Sequence, residues 1–330
     1  MPSIQDVAEK AGVSVATVSR VINHSAVVLP ETQRQVESAI KELNYKPLRI
    51  QSRPKIPPNI LVMIPDISNN YYSVIVKGIG DYCIQTDRNM IVCNTNYSRH
   101  RELEFLDMLK NKVARGAILL GTELHREEIL EYNEKYSIIQ CCEYLENTPV
   151  SHISIDNKTA AKEAMRHLIG LGHKRIGLIA CNNNFLSTKQ REEVYYQILK
   201  DEGIPIRKEY VIKAHRYDFK NGLRAMMQLM SLSCPPTAVF ALSDDLAIGA
   251  VSAALSSGKR VPDDIAVMGF DDIAFASMYT PSITTVAQPC YDLGYNAMDM
   301  LARKIENKQN SAESIFLEHE LKIRASTVKN

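Results

Sequence analysis

Short apolar runs alternate with amphipathic stretches along most of this 330-residue chain. Between residues 60 and 325 each run has the length of a buried strand, and helices fit between almost all of the runs. This alternation is typical of a parallel sheet whose strands are joined by crossover helices. The sequence therefore predicts an α/β body, with strands at residues 60–64, 91–94, 116–120, 138–141, 175–180, 210–214, 238–241 and 265–269.

The first 45 residues follow a different pattern, because their apolar residues recur at helical spacing in three short segments. Ser3 and Ser14 stand where the first amides of two helices need acceptors, and Gly12 lies between them as a stop. Pro30 suits the first turn of a third helix, and Pro47 ends that helix. Two helices joined by a short glycine turn and packed on a third form a helix-turn-helix, which places its second helix in the major groove of DNA.

Charge and small side chains distinguish this head from an ordinary three-helix bundle, which is the alternative. The chain has 39 basic and 38 acidic residues, yet residues 1–58 hold eight Lys or Arg against five acids. The predicted second helix begins with Val15, Ala16 and Thr17, which are small enough to approach base edges closely. Arg20 adds one long cation on the same face. We therefore expect the head to bind DNA.

The cysteines and the distribution of apolar residues indicate in which cell compartment the protein acts. The seven cysteines are odd in number, scattered and without a C-x-x-C pair, so they indicate neither a disulfide framework nor a zinc site. Charged residues within the first twenty positions exclude the apolar core of a secretory signal. No apolar run approaches the roughly 18 residues needed to cross a bilayer. We therefore expect a cytoplasmic protein with reduced thiols, no bound metal and no membrane partner.

Several motifs of the head together resemble the lactose/galactose repressor family of transcription regulators. They are IQDVA at 4–8, AGVS at 11–14, TVSRVIN at 17–23 and LNYKP at 43–47. The resemblance continues through the body, in IPDISN at 64–69, GHKRIG at 172–177, MGFDD at 268–272 and TTVAQP at 284–289. It therefore covers nearly the whole chain.

This resemblance implies a small all-α helix-turn-helix head followed by a two-lobe body of parallel sheets, like that of periplasmic binding proteins. It places the head at residues 1–47, a hinge or linker at 48–59, and the effector-binding and dimerisation domain at 60–330. The first lobe would hold residues 60–157 and 290–317, and the second lobe 158–288 and 318–330. We expect a homodimer, because paired heads about 34 Å apart read a palindromic operator of double-stranded DNA.

Roles in DNA binding follow from the same resemblance. Val15, Ala16 and Arg20 take base-reading positions, and Arg20 is able to donate two parallel hydrogen bonds to guanine. The other DNA-contact positions, mainly to phosphates, are Ser14, Thr17, Ser19 and Asn23. Arg34 is displaced by one position from the arginine that the family usually carries, so a backbone contact is lost or redirected there.

The linker also departs from the family pattern. Family members form a hinge helix on DNA, and a leucine of that helix wedges into the minor groove and bends the duplex. Here prolines at positions 54, 57 and 58 leave room for only a turn or so of helix. We expect a flexible basic tether in which the wedge is weak or absent, with Leu48 or Ile50 as its substitute.

Positions in the body that match the family's ligand contacts combine carboxylates, an arginine and aromatic rings. They are Tyr71, Tyr72, Asp156, Arg191, Tyr217, Asp244, Asp271 and Gln288. The resemblance implies a small-molecule effector between the lobes and no cofactor. The stretches LLGT at 119–122 and IDN at 155–157 look similar to the cytidine-repressor branch, so a nucleoside and a sugar both stay open. Asp244 also has a structural interpretation, as the cap of a helix that starts at Leu246.

Two other classes of protein share such a body. A solute-binding protein would not need the predicted head. An enzyme is disfavoured because the acidic pairs at 244–245, 263–264 and 271–272 are adjacent residues, which rarely point the same way. Gly78 and Gly80 lack the third glycine of a dinucleotide loop and fall within a predicted helix. We therefore expect no catalytic residues, and predict a sequence-specific transcription regulator acting as a repressor.

Overall fold

The computed structural model describes residues 2–23, 28–45, 57–307 and 311–328. The chain divides into two units, Met1–Ile56 and Pro57–Asn330, which we call the head and the body. Leu48 and Ile50 lie outside the described residues, as does the side chain of Asn23. Their expected contacts with DNA thus stay predictions.

Three helices form the described part of the head, as the apolar spacing predicts: α1 (Ile4–Ala11), α2 (Val15–Asn23) and α3 (Pro30–Glu42). Ser3 precedes α1 in a capping box, in which its hydroxyl accepts from the amide of Asp6 and the Asp6 carboxylate accepts from the amide of Ser3. Gly12 ends α1 in the left-handed region, at φ 65°, which favours glycine. The predicted start and stop of α1 are confirmed.

A small apolar core holds the helices of the head together. Each helix contributes one valine with no exposed surface, namely Val7 from α1, Val18 from α2 and Val36 from α3. Full burial of one such side chain contributes roughly 1.5–3 kcal/mol. Because Val18 and Val21 face this core, the opposite face of α2 is exposed.

The body alternates strands and helices. Its first part contains β1 (Asn59–Ile64), α4 (Asn70–Gln85), β2 (Asn89–Asn94), α5 (Arg99–Lys110), β3 (Gly116–Leu119), α6 (Arg126–Lys135), β4 (Ser137–Cys141), β5 (His152–Ile155) and α7 (Asn157–Gly170). Its middle part contains β6 (Ile176–Cys181), α8 (Leu186–Asp201), β7 (Val211–Ala214), α9 (Phe219–Met230), β8 (Ala238–Ala241), α10 (Asp244–Ser256), β9 (Ala266–Asp271), α11 (Ala274–Met278) and β10 (Thr284–Ala287). The last part contains α12 (Cys290–Asn307), β11 (Ser314–Leu317) and β12 (Glu320–Lys322).

The strands form two six-stranded sheets, one in each of two lobes. The sheet of the first lobe has the order β11-β5-β4-β3-β1-β2, and the sheet of the second lobe has the order β12-β10-β9-β8-β6-β7. All eight predicted strands are present. Four further strands, β5, β10, β11 and β12, escape the prediction because each is at most four residues long and begins with a polar residue.

One strand departs from the predicted parallel arrangement. β12 runs antiparallel to β10, with Thr285 opposite Lys322, whereas the other strand pairs in the described sheets are parallel. The chain leaves β11 in the first lobe and begins β12 in the second lobe after only Glu318 and His319. A parallel strand would need a long crossover to the far end of the second sheet, and two residues are too few for one. β12 therefore starts at the end of the sheet that faces the first lobe and runs antiparallel to its neighbour.

The described chain passes between the lobes after β5, after β10 and after β11. These passages lie around residues 156, 288 and 318. The carboxyl ends of parallel strands lie at one edge of a sheet, and in folds of this kind ligands bind outside that edge. Side chains that follow the strands of the two lobes therefore meet in a cleft beside the passages.

Gly78 has a structural explanation in the contact between α4 and α12. A Cβ atom on Gly78 would lie 2.1 Å from the carbonyl oxygen of Tyr291, and one on Gly294 would lie 2.0 Å from the carbonyl oxygen of Ile75. Both distances are shorter than any normal contact, so the two helices approach as closely as they do only because glycine stands at both positions. Gly78 is therefore a packing residue.

Two observations bear on the predictions about membranes and thiols. No helix of the described residues is long and apolar enough to span a membrane. The cysteines in the described part of the chain are unpaired, and Cys234 alone among them is not buried.

We expect Gly78→Ala to lower the free energy of unfolding by about 1–3 kcal/mol, because the added methyl group forces α4 and α12 apart. Urea denaturation of the purified protein measures the change. Gly170→Ala is the control, since nothing lies within 4 Å of a Cβ atom at the end of α7. Equal stability of both variants and the wild type would contradict the packing role of Gly78.

Candidate nucleic-acid interface and ligand cleft

The exposed face of α2 presents the side chains that the sequence predicts to read bases. Val15, Ala16 and Arg20 are exposed, with Val15 at 41% of its full accessibility. Arg20 forms no ion pair with the residues that the structure describes, so its guanidinium is available to a ligand. Small residues at the start of the helix and a cation one turn later are compatible with insertion into the major groove.

The hydroxyl groups of Ser14 and Thr17, at the start of α2, hydrogen-bond with each other. The Ser14 Oγ atom accepts a hydrogen bond from the amide of Thr17 at 3.2 Å and lies 2.9 Å from the Thr17 Oγ1 atom. Ser14 is exposed, whereas Thr17 and Ser19 are partly buried. Ser14 and Thr17 therefore stand at the positively polarised end of α2, where phosphate oxygens bind favourably.

Six of the eight residues predicted to contact the effector meet in the cleft of the body. A cavity of about 40 Å³ is lined there by Tyr71, Tyr72, Arg191, Tyr217, Asp271 and Gln288. Tyr71 and Tyr72 lie in the first turn of α4, Arg191 lies on α8, and Asp271 ends β9. The cavity also contains Asn69, Glu143, Phe185, Ser187, Leu242 and Ser243, which the sequence did not indicate.

The Arg191 guanidinium is buried and held from three sides. Its Nε atom donates to the Asn157 side chain at 2.9 Å, and its Nη1 atom donates to the carbonyl oxygen of Leu242 at 2.9 Å. The guanidinium carbon lies 3.5 Å from the centre of the Phe270 ring. These contacts use Nε and Nη1, and no described residue hydrogen-bonds to Nη2, which is left to donate to a ligand.

Asp271 ends a hydrogen-bonded chain that runs from Tyr71 through Gln288. Gln288 donates from Nε2 to the Asp271 carboxylate at 2.8 Å and accepts from the Tyr71 hydroxyl at 3.2 Å. Arg191 Nη1 lies 3.9 Å from the same carboxylate. Burial raises the pKa of Asp271 to about 7, although Arg191 and Gln288 both act to lower it.

The backbone at Asp271 is strained. Its φ of 115° and the φ of 58° at Asp272 lie in the region that L-residues rarely adopt. Residues held in such conformations cluster at ligand sites, where the surrounding structure maintains them. The strain therefore agrees with a binding role for Asp271.

The two remaining predicted contacts, Asp156 and Asp244, do not line the cavity. Asp156 is exposed and caps α7, where its carboxylate accepts from the amides of Lys158 and Thr159 at 3.1 and 3.0 Å. Asp244 is fully buried, and its Oδ2 atom accepts from the amide of Ile273 at 2.9 Å. The interpretation of Asp244 as a helix cap is wrong, because Ser243 caps α10.

Glu143 makes a contact between the lobes that the sequence did not reveal. It follows β4 in the first lobe, and its carboxylate accepts from the amide of Ser187 in the second lobe at 3.1 Å and from the Ser187 hydroxyl. The residue at the N-cap of α8, Phe185, provides no side-chain acceptor, so Glu143 caps this helix from the other lobe. Burial raises the pKa of Glu143.

The cleft combines aromatic surface with hydrogen-bonding groups of both kinds. Tyr71 and Tyr72 contact each other edge to face, and the Tyr217 hydroxyl lies 2.6 Å from that of Thr188. The residues described here contain no cluster of three or more histidine, cysteine or acidic side chains that would hold a metal ion. Such a lining suits a hydroxylated ring, which stacks on aromatic faces and hydrogen-bonds with carboxylates and a guanidinium.

Two family models match the chain. The model described as "Bacterial regulatory proteins, lacI family" matches residues 3–47. The model described as "Periplasmic binding protein-like domain" matches residues 165–327. The first match covers the described helices of the head, and the second covers most of the second lobe.

Similar proteins match over nearly the whole chain. The HTH-type transcriptional repressor CytR of Escherichia coli K12 is 34% identical over 98% of this chain and 96% of its own length. Among solved structures, the lac repressor dimer bound to operator and the anti-inducer ONPF has a TM-score of 0.75, at 27% identity over 99% of both chains. A complex of the transcriptional regulator CelR with cellobiose has a TM-score of 0.74, at 28% identity over 99% of this chain and 100% of that one.

We expect Asp271→Asn to reduce the loss of stability that accompanies rising pH. Because the folded pKa of about 7 exceeds the ordinary value of 3.8, the folded chain binds more protons between these values. The contribution of this carboxyl group to the free energy of unfolding therefore falls as pH rises from about 4 to 7. Urea denaturation at about pH 5 and pH 8 measures the difference, and an unchanged difference in the variant would contradict this pKa.

We expect Glu143→Ala to lower the free energy of unfolding by about 0.5–2 kcal/mol, because α8 loses its cap from the first lobe. Urea denaturation measures the change, with Glu134→Ala on the exposed surface of α6 as the control. If the two variants were equally stable, the bond between Glu143 and Ser187 would not hold the lobes together.

Proposed function

The chain belongs to the lacI family of bacterial regulatory proteins, and from this premise we propose that it represses transcription by binding a palindromic operator as a homodimer. A small sugar or nucleoside in the cleft of the body would control its affinity for the operator. It would act in the cytoplasm, where operator DNA is found. The family consists of transcription regulators, and the chain is one of them.

The exposed face of α2 is the observation that carries this proposal. It lies within the region matched by the lacI family model, and Val15, Ala16 and Arg20 are directed away from the core of the head. Arg20 has the length and the planar fork needed to donate to the O6 and N7 atoms of guanine. Ser14 and Thr17 would fix the register of the helix by binding phosphates.

Dimerisation is supported by the specificity that a repressor needs. One helix-turn-helix reads a few base pairs, whereas two heads related by symmetry read two half-sites about 34 Å apart. The lac repressor in its complex with operator is a dimer, and it matches this chain from head to body.

The effector proposal rests on the cleft. Arg191 Nη2 would donate to a ring oxygen or carbonyl, and the Asp271 carboxylate would accept from a hydroxyl group. CelR, a structural relative, was solved with cellobiose, a neutral sugar. A cavity of about 40 Å³ has room for a few water molecules, so the lobes must part to admit a ring. A ligand bound there therefore favours one arrangement of the lobes over another.

Two experiments test the function. The first selects binding sites from randomised duplexes, and the second measures how tightly the Arg20→Ala variant binds the selected sequence. We expect the selection to yield a palindrome, and the variant to lose about 1–3 kcal/mol of binding free energy on that sequence with much less loss on random duplexes. Fluorescence anisotropy at fixed salt measures both, because nonspecific affinity depends steeply on salt.

Arg115→Ala is the matched control, because Arg115 is exposed in the body and outside the head. A selection without any enriched sequence would overturn the proposed function. If Arg20→Ala lost equal binding free energy on specific and random duplexes, Arg20 would instead contact phosphates and would not read bases.

A further inference from the structure

Two neighbouring cysteines, Cys141 and Cys142, are in contact at the end of β4. Their Sγ atoms lie 3.6 Å apart, and no other pair of sulfurs among the described cysteines lies within hydrogen-bonding distance. Adjacent side chains of an extended strand point to opposite faces of the sheet, so neighbouring cysteines do not ordinarily meet. Here β4 ends at Cys141, and Cys142 has a φ of 72°, in the left-handed region. This change of backbone conformation accompanies the approach of the two sulfurs.

Hydrogen bonds to β5 hold Cys142 in its uncommon conformation. Its amide donates to the carbonyl oxygen of Ile153 at 2.8 Å, and its own carbonyl oxygen accepts from the hydroxyl of Ser154 at 2.8 Å. A residue other than glycine with a positive φ is unfavourable unless the surrounding structure maintains it, and such residues cluster at functional sites. The contact between the two thiols is therefore maintained by the sheet.

The thiol pair adjoins two side chains of the cleft. Glu143, the next residue along the chain, caps α8 of the second lobe. Tyr71 lines the small cavity of the cleft, and its pKa is raised by burial and by the neighbouring sulfurs of Cys142 and Cys290. A movement of the chain at Cys142 would therefore be felt at the contact between the lobes.

We propose that Cys141 and Cys142 are a site of reversible oxidation, at which hydrogen peroxide converts the two thiols into a disulfide bond that releases Glu143 from the second lobe. Cys142 reacts first, because it keeps 7% of its accessibility whereas Cys141 has none. The hydrogen bond with Cys142 and burial raise the pKa of Cys141, so Cys141 keeps its proton until the second step.

The reaction has two steps. The Cys142 sulfur, as the thiolate, attacks one oxygen of the peroxide, the O–O bond breaks, and the other oxygen leaves as water, which leaves a sulfenic acid on Cys142. The Cys141 sulfur then attacks the Cys142 sulfur, an S–S bond forms as the S–O bond breaks, and the hydroxyl group leaves as water with the proton of Cys141. Two thiols and one peroxide thus give one disulfide and two waters, and two electrons pass from sulfur to oxygen.

Closure of this bond moves the backbone. The two sulfurs must approach from 3.6 Å to about 2.05 Å. The Cα atoms of adjacent residues are about 3.8 Å apart, which is less than the roughly 4.4–6.8 Å of ordinary disulfides, so the bond forms only if the chain distorts at residues 141–142. Glu143 follows directly, so its carboxylate leaves Ser187. A distorted disulfide is also easily reduced, which makes the modification reversible.

Oxidation of the full-length protein in its native state, followed by unfolding and alkylation, tests this site. Hydrogen peroxide is the probe, and N-ethylmaleimide labels the thiols that remain. We expect all seven cysteines to be labelled in the reduced chain, two fewer after peroxide, and all seven again after dithiothreitol. A peptide map should find the peptide that holds Cys141 and Cys142 unlabelled and lighter by two hydrogen atoms. Full labelling after peroxide, or a crosslink to Cys290, would overturn the proposal.

Single alanine variants separate the roles of the two sulfurs. In Cys141→Ala the reaction should stop at the sulfenic acid of Cys142, which dimedone traps, whereas the wild type and Cys142→Ala should give no adduct at this pair. Cys93→Ala is the matched control and should lose two labels to peroxide as the wild type does, since Cys93 is about as buried as Cys142, at 6% exposure, but lies outside the pair. A dimedone adduct that persists in the wild type would show that Cys141 is not the second thiol.

Glu143→Ala tests the effect on the lobes. It should lower the melting temperature of the reduced protein, but change that of the oxidised protein far less, because the bond to Ser187 is already lost there. A crosslink between adjacent residues closes almost no loop, so it hardly alters the unfolded chain. Equal shifts in the two forms would contradict the release of Glu143. None of these measurements uses DNA or an effector, so their results do not depend on the proposed function.

Discussion

The cleft depends on the burial of one charged group, the Arg191 guanidinium. Removing a guanidinium from water is costly unless its donors are satisfied and an opposite charge is near. Here the partners come from different elements: Asn157 begins α7, Leu242 follows β8, and Asp271 ends β9. Satisfying this one cation therefore fixes the relative positions of three segments at the edge of the second lobe. Asp271, one of these partners, also has a strained backbone, with a φ of 115°.

A second set of hydrogen bonds crosses the cleft between the two lobes. Glu143 caps α8 from the first lobe, and Tyr71 of the first lobe hydrogen-bonds with Gln288 at a passage between the lobes. Both lie next to the small cavity, so a ligand that enters it must alter them. A ligand changes the balance between two arrangements only by the difference in its affinity for them. The cleft thus has the means to convert ligand binding into a movement of the lobes.

Much of this architecture could be predicted from the sequence, because local patterns determine it. The three helices of the head, the capping roles of Ser3 and Ser14 and the eight predicted strands follow from local sequence patterns. What escaped prediction depends on distant parts of the chain. Glu143 and Ser187 are 44 positions apart, and nothing local marks either as a partner of the other. Asp244 adjoins Ser243, which lines the small cavity, and Asp156 adjoins Asn157, which binds Arg191. At the start of a helix, a shift of one position points a side chain in a different direction.

The central claim is that occupancy of the cleft and binding of DNA by α2 are coupled in one molecule. Coupling between two binding sites is reciprocal, so the operator must change the affinity for the effector by the same factor as the effector changes the affinity for the operator. Calorimetric titration of the effector into the full-length protein, with and without saturating operator duplex, measures this factor directly. The account predicts a change of about 5–150-fold that equals the change in operator affinity. An effector Kd that is the same with and without operator would contradict it.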